Sequence, residues 1–416
     1  MPGRKIPFKK TSWRRLVSVQ QAEALILKGV KLFPPVCVPI SKAFGRVLRE
    51  DLIADRDLPP FNRVAMDGIA IHFSSWQKGR REFTVEGVQK AGTPVLTLKD
   101  RKSCIEVMTG AVLPLGCDCV IPVESMKRVG TAARLRENFK AVKGLNVHPQ
   151  GADHRQKDRL ARAGCRLLSP QIAVAASIGK KDVLVSRMPA VAVVATGDEL
   201  VEVDKIPAPY QIRQSNVYAL QAALYLQGYT EVDRFHVLDN KNELRRRLRG
   251  ILQKFDVIIL SGGVSMGKFD FVPQVLSELG VKAVFHKVRQ RPGKPFWFGK
   301  TKDGRPVFAL PGNPVSTHIS MYRYVFPFLS RAAGLKTAAE KYAVLGEDVD
   351  ISTALTYFLP VRLISSRDGR MTALPVFLSG SGDYASLARS DGFIELPEGA
   401  GRFPKAGVHR FYPWFF

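Results

Sequence analysis

Polar residues and glycines follow an apolar run at one conspicuous place in this sequence. In residues 256–270, DVIILSGGVSMGKFD, the β-branched run predicts a buried strand. The residues after that run are Ser261, Gly262, Gly263, Ser265 and Asp270. Paired glycines let a backbone approach a ligand closely, and Asp270 is placed to cap a following helix. A plain strand-to-helix turn explains the stretch equally well, because a double glycine is a weak motif.

Carboxylates also follow other predicted strands of the same region. Asp198 and Glu199 come after VAVVATG, beginning at Val191, and Asp239 follows the next apolar run. Each carboxylate could simply cap a helix, but three strand ends of this kind favour one shared ligand site. The sequence lacks the His or Cys spacing of a zinc site, so the carboxylates suit a hard cation such as Mg²⁺ that bridges phosphate oxygens.

Two more segments carry groups suited to an anion. Residues 287–295, KVRQRPGKP, gather cations around a Pro-Gly turn and could bind a tetrahedral oxyanion through charge-assisted hydrogen bonds. Residues 310–316, LPGNPVS, predict a helix with Asn313 as N-cap and Pro314 at its first position, so that free N–H groups face an anion. The alternative for both segments is rigid turn chemistry with surface lysines.

Covalent catalysis is less favoured than metal-assisted positioning of substrates. No order of Ser, His and Asp and no activated Cys stands out, and the GxxxxGK[ST] loop of P-loop nucleotide hydrolases is absent. The chemistry that these residue types favour is therefore binding of a phosphorylated or oxyanionic substrate with the help of a metal ion.

The elements that must position these groups alternate between strand and helix over residues 187–331. Such alternation predicts an α/β domain with a largely parallel sheet and ligands at the carboxyl ends of its strands. Short strands dominate residues 74–145, which predicts a β-rich domain, and residues 334–416 show a similar pattern. Before them, Ser18 and Gln21 form a capping-box pattern that opens a short amphipathic helix.

Composition narrows the class of protein. The 416 residues include 63 Lys and Arg against 37 Asp and Glu, a net charge of +26, which attracts polyanions or phosphorylated substrates. No nucleic-acid-binding module accompanies this charge, and a solvated basic surface is the simpler explanation. The five cysteines lack paired spacing, no signal peptide is apparent and no apolar run is long enough to span a membrane, so we expect a reduced, cytoplasmic protein.

Six motifs in order resemble those of the molybdopterin molybdenumtransferase family, the bacterial MoeA family that also forms the E domain of gephyrin. They are Met66-Asp67-Gly68, Met108-Thr109-Gly110, the TGDEL run at residues 196–200, SGGVS at 261–265, PGKP at 292–295 and LPGNPVS at 310–316. The resemblance runs from about residue 16 to the C-terminus. It implies a homodimer whose active cleft lies between the α/β domain of one subunit and the β-rich domain of the other.

The resemblance also implies the division of the chain into domains. The expected parts are a basic tail at 1–15, an elongated scaffold domain at 16–51 and 146–186, a β-rich inserted domain at 52–145, the α/β molybdopterin-binding domain at 187–333 and a C-terminal β domain at 334–416.

By the same resemblance, the chain inserts molybdenum from molybdate into adenylylated molybdopterin and releases AMP with the help of Mg²⁺. The implied catalytic residues are Asp67, Thr109, Glu199, Asp239 and Asp270, of which Asp239, Asp270 and Glu199 are the expected metal ligands. The implied substrate-binding residues are Gly197, Asp198, Ser261, Gly262, Gly263, Ser265, Lys287, Arg291, Lys294, Pro311, Gly312, Asn313, Pro314 and Ser316. Molybdopterin adenylyltransferase and cofactor-receiving proteins are the expected partners, with no specific nucleic acid and no membrane.

Several positions depart from the family pattern. Gln214 stands where many members carry Asp, Ile69 follows the Met-Asp-Gly motif in place of an aromatic residue, and Arg289-Gln290 replaces a more apolar pair. The segment NVHPQGAD at 146–153 also lacks an arginine and an acidic residue often found there. A dimeric scaffold that keeps the fold without the reaction is the alternative, although no appended adenylyltransferase domain is present.

Overall fold

A computed structural model describes residues 16–264, 270–336 and 340–415. The predicted basic tail and Ser265 therefore lie outside the described residues. Within the described ranges, no helix is both long enough and apolar enough to cross a membrane.

The chain opens with the predicted helix, α1 (Val19–Leu27). Ser18 caps it through a capping box with Gln21, as the sequence predicts. Short strands follow: β1 (Pro35–Pro39), β2 (Leu52–Ile53) and β3 (Arg63–Val64), with a 3₁₀ turn at Ile40–Lys42 after β1.

The β-rich region forms one mixed sheet. Its elements are β4 (Gly68–Ile71), α2 (Phe73–Gln77), β5 (Glu82–Gln89), β6 (Ser103–Val107), β7 (Cys119–Pro122), β8 (Met126–Val129) and β9 (Ala132–Leu135), with a 3₁₀ turn at Val123–Ser125. The strand order is β7-β4-β6-β5-β9-β8. Its two faces bury separate apolar clusters because alternate residues point to opposite sides, Ala70 to one and Ile69 to the other.

The returning chain rebuilds the layer begun by the first segment. It contains β10 (Val147–His148), β11 (Arg159–Ala161), α3 (Ser169–Ser177) and β12 (Asp182–Ser186). These strands pair antiparallel with the early ones, β10 with β3, β11 with β2 and β12 with β1. Strands β2 and β3 thus pair with the scaffold segment although they lie in the range predicted for the inserted domain. Leu168 is the N-cap of α3, and Pro170 lies in its first turn.

The α/β region contains the predicted alternation of strands and helices. Its strands are β13 (Val191–Thr196), β14 (Leu200–Val201), β15 (Ile212–Arg213), β16 (Val232–Val237), β17 (Val257–Ser261), β18 (Lys282–His286), β19 (Gln290–Arg291), β20 (Trp297–Lys300) and β21 (Pro306–Leu310). Its helices are α4 (Asn216–Leu226), α5 (Lys241–Lys254), α6 (Val272–Glu278), α7 (Pro314–Ser320) and α8 (Phe326–Ala332), with a π-helical turn at Met321–Val325 between the last two.

The main sheet of this region has the order β16-β13-β17-β21-β20-β18. The first four strands are parallel, and β20 runs antiparallel to both of its neighbours, β21 and β18, which agrees with the expected mostly parallel sheet. Helices cover both faces: Val257 and Ile259 pack in the cluster of α4, α7 and α8, while Ile258 and Leu260 pack with α5 and α6. All four side chains are fully buried.

The C-terminal region is a small barrel. It contains β22 (Lys341–Leu345), β23 (Val349–Ile351), β24 (Thr356–Ser365), β25 (Met371–Pro375), α9 (Tyr384–Leu387), β26 (Gly392–Leu396), β27 (Gly401–Phe403) and β28 (Val408–Pro413). Its sheet runs β19-β24-β25-β22-β28-β26, and a further β24–β26 pairing closes it. Strand β19 thus carries the cationic 287–295 segment to the edge of this barrel, away from the main sheet.

One buried arginine ties three regions together. Arg323, in the π-helical turn, is 1% exposed and binds Glu23 of α1 at 2.9 Å and Glu395 of β26 at 2.8 Å. Buried ion pairs need such multiple partners to offset their desolvation. The contact fixes both α1 and the C-terminal barrel to the helices behind the main sheet.

Candidate functional site

A cleft of about 460 Å³ opens at the carboxyl ends of the parallel strands, where the sequence places the ligand site. Strand ends and the loops after them form its walls. The predicted site residues that line it are Glu199, Asp239, Ser261, Gly262, Gly263, Asp270, Pro311, Gly312, Asn313 and Pro314. Gln214, Ser215, Asn216 and Pro295 also line it.

The glycine turn after β17 forms the floor of the cleft. Gly262 and Gly263 have φ values of 104° and 64°, which glycine adopts without a steric penalty. A Cβ on Gly262 would lie 2.6 Å from the backbone oxygen of Thr196, the last residue of β13. The turn is therefore packed directly on the neighbouring strand, and no larger residue fits there.

We expect Gly262→Ala to lower the affinity for the pterin nucleotide by at least about tenfold. The alanine Cβ would contact the neighbouring backbone, and its strained φ would cost roughly 1–3 kcal/mol, so the turn must move. Titration calorimetry measures this affinity. Gly250→Ala is the matched control, since nothing lies within 4 Å of a Cβ built at that position in α5. Equal affinities of the two variants would contradict a substrate-binding role for the turn.

Four carboxylates come close together at the cleft: Asp198, Glu199, Asp239 and Asp270. Oδ1 of Asp198 accepts a hydrogen bond of 2.9 Å from the backbone N–H of Asp239. Oδ1 of Asp239 is buried and has no hydrogen-bond partner among the described residues. Burial is the main cause that raises the pKa of the Asp239 carboxyl to about 6, and the charges of Asp198, Glu199 and Asp270 act in the same direction.

These features fit a bound cation. A divalent ion would supply the missing partner of the Asp239 oxygen and neutralise the clustered carboxylates. In the described part of the chain, no three His, Cys, Asp or Glu side chains converge as a complete metal site. The three expected metal ligands thus do not form a full set alone, which suits Mg²⁺ sites that use one or two carboxylates together with substrate phosphates and water.

The N-cap of α6 is not the predicted Asp270. Helix α6 starts at Val272, and Phe271, not Asp270, occupies its N-cap position without a side-chain cap. The Asp270 side chain lines the cleft. The prediction relied on the polar residue before the helix and therefore placed the N-cap one residue too early. Pro273 lies in the first turn and sets where the helix begins.

The LPGNPVS segment is formed as predicted. Asn313 is the N-cap of α7 and Pro314 its first residue. The side chain of Asn313 does not cap the helix; its Nδ2 donates to the Ser381 hydroxyl at 2.7 Å. Ser316, another predicted substrate ligand, is 3% exposed and lies behind the cleft wall.

The cationic segment meets the cleft at one residue and does not place its cations there. Pro295 lines the cleft, whereas Lys287, Arg291 and Lys294 do not. Arg289, which adds charge relative to the family pattern, forms an ion pair with Glu398 of the C-terminal barrel. This extra charge is therefore partly neutralised within the chain.

Asp67 and Thr109 lie together but outside the cleft of their own chain. Oδ1 of Asp67 accepts hydrogen bonds from the backbone N–H and the hydroxyl of Thr109, at 2.6 and 2.7 Å. These bonds lower the pKa of the Asp67 carboxyl below its usual value, so it is ionised at neutral pH. Neither residue is among those that line the cleft.

Gln214 is accommodated by its surroundings. Its side-chain amide donates to Glu202 at 2.6 Å, and Glu202 also accepts from the Tyr218 hydroxyl at 3.3 Å. A carboxylate at position 214 would face Glu202 with like charge, whereas the neutral amide forms a hydrogen bond. At the other departures, Ile69 is fully buried in the β-rich sheet, and His148 binds Asp153 at 3.0 Å.

Asn216 is a cleft residue that sequence reasoning missed. Its amide contacts Ser261, Gly312 and Tyr384, which come from three separate parts of the chain. The only local signal is a polar residue that opens α4 after a short strand, and this is typical of many helix starts.

Three family models match successive parts of this chain. The MoeA N-terminal region (domain I and II) matches residues 17–179, a probable molybdopterin binding domain matches 192–331, and the MoeA C-terminal region (domain IV) matches 342–407.

Among characterised relatives, the molybdopterin molybdenumtransferase of Synechocystis is 38% identical over 96% of this chain and 100% of its own length. The Bacillus subtilis enzyme of the same name is 30% identical over 87% of this chain and 86% of its own. The crystal structure of a molybdopterin biosynthesis MoeA protein from Pyrococcus horikoshii superposes with a TM-score of 0.79 at 30% identity and covers 97% of this chain and all of its own. The chain therefore belongs to the MoeA family of molybdopterin molybdenumtransferases, which are transferases of molybdenum cofactor biosynthesis.

Proposed function

We propose that this protein inserts molybdenum from molybdate into adenylylated molybdopterin and releases AMP in a Mg²⁺-assisted reaction. The observation that supports this most is the cleft itself, in which a glycine turn and several carboxylates, among them the buried Asp239, lie side by side at a parallel sheet edge. Such a site suits a phosphoanhydride and a divalent ion together.

The chain's own groups account for binding of the pterin nucleotide. The Gly262 N–H already donates to the backbone oxygen of Leu310 at 3.2 Å, so the N–H of Gly263, which also lines the cleft, is the donor of the turn proposed to bind a phosphate oxygen. Asp239 and Asp270 would hold Mg²⁺, with Glu199 and Asp198 beside them. The ion would polarise the phosphoanhydride and stabilise the AMP leaving group. Gly197 leaves room for Glu199, whose carboxylate folds back over it.

The cationic segment is the proposed molybdate site. Molybdate is a tetrahedral dianion, and Lys287, Arg291 and Lys294 supply positive charge next to Pro295 of the cleft wall. The start of α7 adds little to this site, because Pro314 has no N–H and the Val315 N–H donates to the backbone oxygen of Ser381. The substrate would thus lie between cations that bind the oxyanion and carboxylates that bind the metal ion.

Asp67 and Thr109 are proposed to complete the cleft of a partner subunit in a homodimer. Both lie in loops of the β-rich region, Asp67 just before β4 and Thr109 after β6, and outside their own cleft, so a second copy would bring them to substrate. The proposed protein partners are molybdopterin adenylyltransferase, which makes the adenylylated substrate, and the proteins that receive the finished cofactor. The free thiols of the described cysteines are consistent with a cytoplasmic location.

The proposal is tested by incubating the protein with adenylylated molybdopterin, Mg²⁺ and molybdate and measuring AMP by chromatography. We expect AMP release that depends on molybdate and saturates with it. Binding of the pterin nucleotide without any AMP release would instead favour the non-catalytic scaffold.

A further inference from the structure

Asn216 joins three walls of the cleft through one side-chain amide. Its Nδ2 donates to the Ser261 hydroxyl at 2.8 Å and to the Gly312 backbone oxygen at 2.7 Å. Its Oδ1 accepts a hydrogen bond of 3.2 Å from the Tyr384 hydroxyl. The first two partners belong to the glycine turn after β17 and to the loop after β21, and the third belongs to the C-terminal barrel.

Tyr384 is well placed to fix the orientation of this amide. The phenol donates to the amide oxygen, which leaves both amide hydrogens for Ser261 and Gly312. Burial raises the pKa of Tyr384 far above its usual value, so the hydroxyl keeps its proton at any physiological pH. Its ring packs edge-on against His318 of α7, with centroids 6.4 Å apart.

The loop that carries Tyr384 is itself ordered and attached to the cleft at a second point. Asp383 accepts hydrogen bonds from the backbone N–H groups of Ser379 and Ser386, at 3.1 and 2.9 Å. Ser381 accepts from Asn313 through its hydroxyl, and its backbone oxygen accepts from the Val315 N–H at 3.0 Å. The C-terminal loop is therefore bound to the segments on both sides of the cleft.

We infer that Tyr384 is a positioning residue, which acts through Asn216 to hold the glycine turn and the 311–314 loop in their substrate-binding arrangement. This inference rests on the proposed function, because it takes the pterin nucleotide as the bound substrate. The C-terminal barrel then contributes to the reaction by ordering the cleft of the α/β region, in addition to any direct contact with substrate.

Tyr384→Phe tests this with a minimal change. It removes only the hydroxyl and keeps the ring against His318, so the fold is retained. A neutral hydrogen bond changes an equilibrium by about two- to tenfold. We expect the KM for adenylylated molybdopterin to rise by about three- to tenfold while kcat changes less than twofold, because the loops remain competent once substrate orders them.

Tyr342→Phe is the matched control, since that hydroxyl also lies in the C-terminal barrel but binds the exposed Glu340. Asn216→Ala is expected to raise KM at least as much as Tyr384→Phe, and the double variant to be no worse than Asn216→Ala alone. Additive effects of the two substitutions would show that they act separately and would overturn the inference.

A second readout does not need the reaction. Amide hydrogen exchange, followed by mass spectrometry, is expected to accelerate at least about threefold in peptides that cover 261–264 and 311–316 in Tyr384→Phe but not in Tyr342→Phe. Unchanged exchange in these peptides would overturn the positioning role even if turnover were altered. If wild-type protein releases no AMP, the proposed function fails, and the exchange experiment still decides the role of Tyr384.

Discussion

Asp239→Asn is expected to reduce molybdate-dependent AMP release by about 10²- to 10³-fold, the loss typical when a group that stabilises transition-state charge is removed. Asp239 has a buried oxygen that no described residue contacts by a hydrogen bond, and burial, assisted by neighbouring carboxylates, raises the pKa of its carboxyl to about 6. Asparagine keeps the shape but lacks the charge that would bind Mg²⁺. Steady-state AMP release at saturating substrate measures the effect.

The same substitution should stabilise the metal-free protein at neutral pH. A carboxyl whose folded-state pKa is raised from 3.8 to about 6 favours the protonated form in the folded state. Its ionisation therefore costs stability progressively as pH rises through this window, and the full cost is present above about pH 6. The side chain is partly exposed, which reduces the effect. We therefore expect Asp239→Asn to raise the free energy of unfolding by on the order of 1 kcal/mol at pH 7.5 and to leave it unchanged at pH 4.

Added magnesium ions distinguish the loss of metal binding from the change in protein stability. Added Mg²⁺ is expected to raise the thermal unfolding midpoint of the wild type by relieving carboxylate repulsion, and to leave that of Asp239→Asn nearly unchanged. Asp233→Asn makes the same charge change on the exposed side of β16, where Asp233 pairs with Lys254, and should behave as wild type. Wild-type activity of Asp239→Asn, or an equal Mg²⁺ effect on both variants, would contradict the assigned role.

The second large effect concerns the two halves of the proposed shared cleft. Asp67→Asn and Asp239→Asn should each be nearly inactive alone. After mixing equal amounts and exchanging subunits, half of the dimers contain one of each chain, and each such dimer has one intact site. AMP release should therefore recover to about a quarter of the wild-type rate, because one site in four is complete.

The control for this complementation is a mixture of Asp239→Asn with Asp270→Asn. Both substitutions alter the same α/β cleft, so a mixed dimer has no intact site, and no recovery is expected. Recovery in this control, or no recovery with Asp67→Asn when mass spectrometry detects mixed dimers, would show that Asp67 does not act across the subunit interface.

Local sequence patterns predicted those helices and strands whose determining residues lie within a few positions of one another. The capping box at Ser18 and the Asn313-Pro314 helix start were confirmed because the residues that determine each helix start are close together in sequence. The buried strand β17 and the largely parallel sheet were likewise confirmed, since apolar runs between helices have few other ways to bury both faces.

Contacts between distant segments could not be predicted in this way. Asn216 and Tyr384 are 168 residues apart and meet only because the barrel packs against the cleft. The cationic turn pairs through β19 with β24, which no local pattern indicates. The assignments of Lys287, Arg291 and Lys294 to the oxyanion, and of Asp67 and Thr109 to a partner's cleft, came from resemblance and stay predictions.

The most direct test of the central claim is the molybdenum content of the pterin product. Protein is incubated with adenylylated molybdopterin, Mg²⁺ and molybdate, the pterin is separated by gel filtration, and its molybdenum is measured by mass spectrometry. We expect close to one molybdenum per pterin with wild-type protein and background values with Asp239→Asn. Background molybdenum with wild-type protein, despite stoichiometric binding of the pterin nucleotide, would contradict the proposed reaction and leave only a binding function.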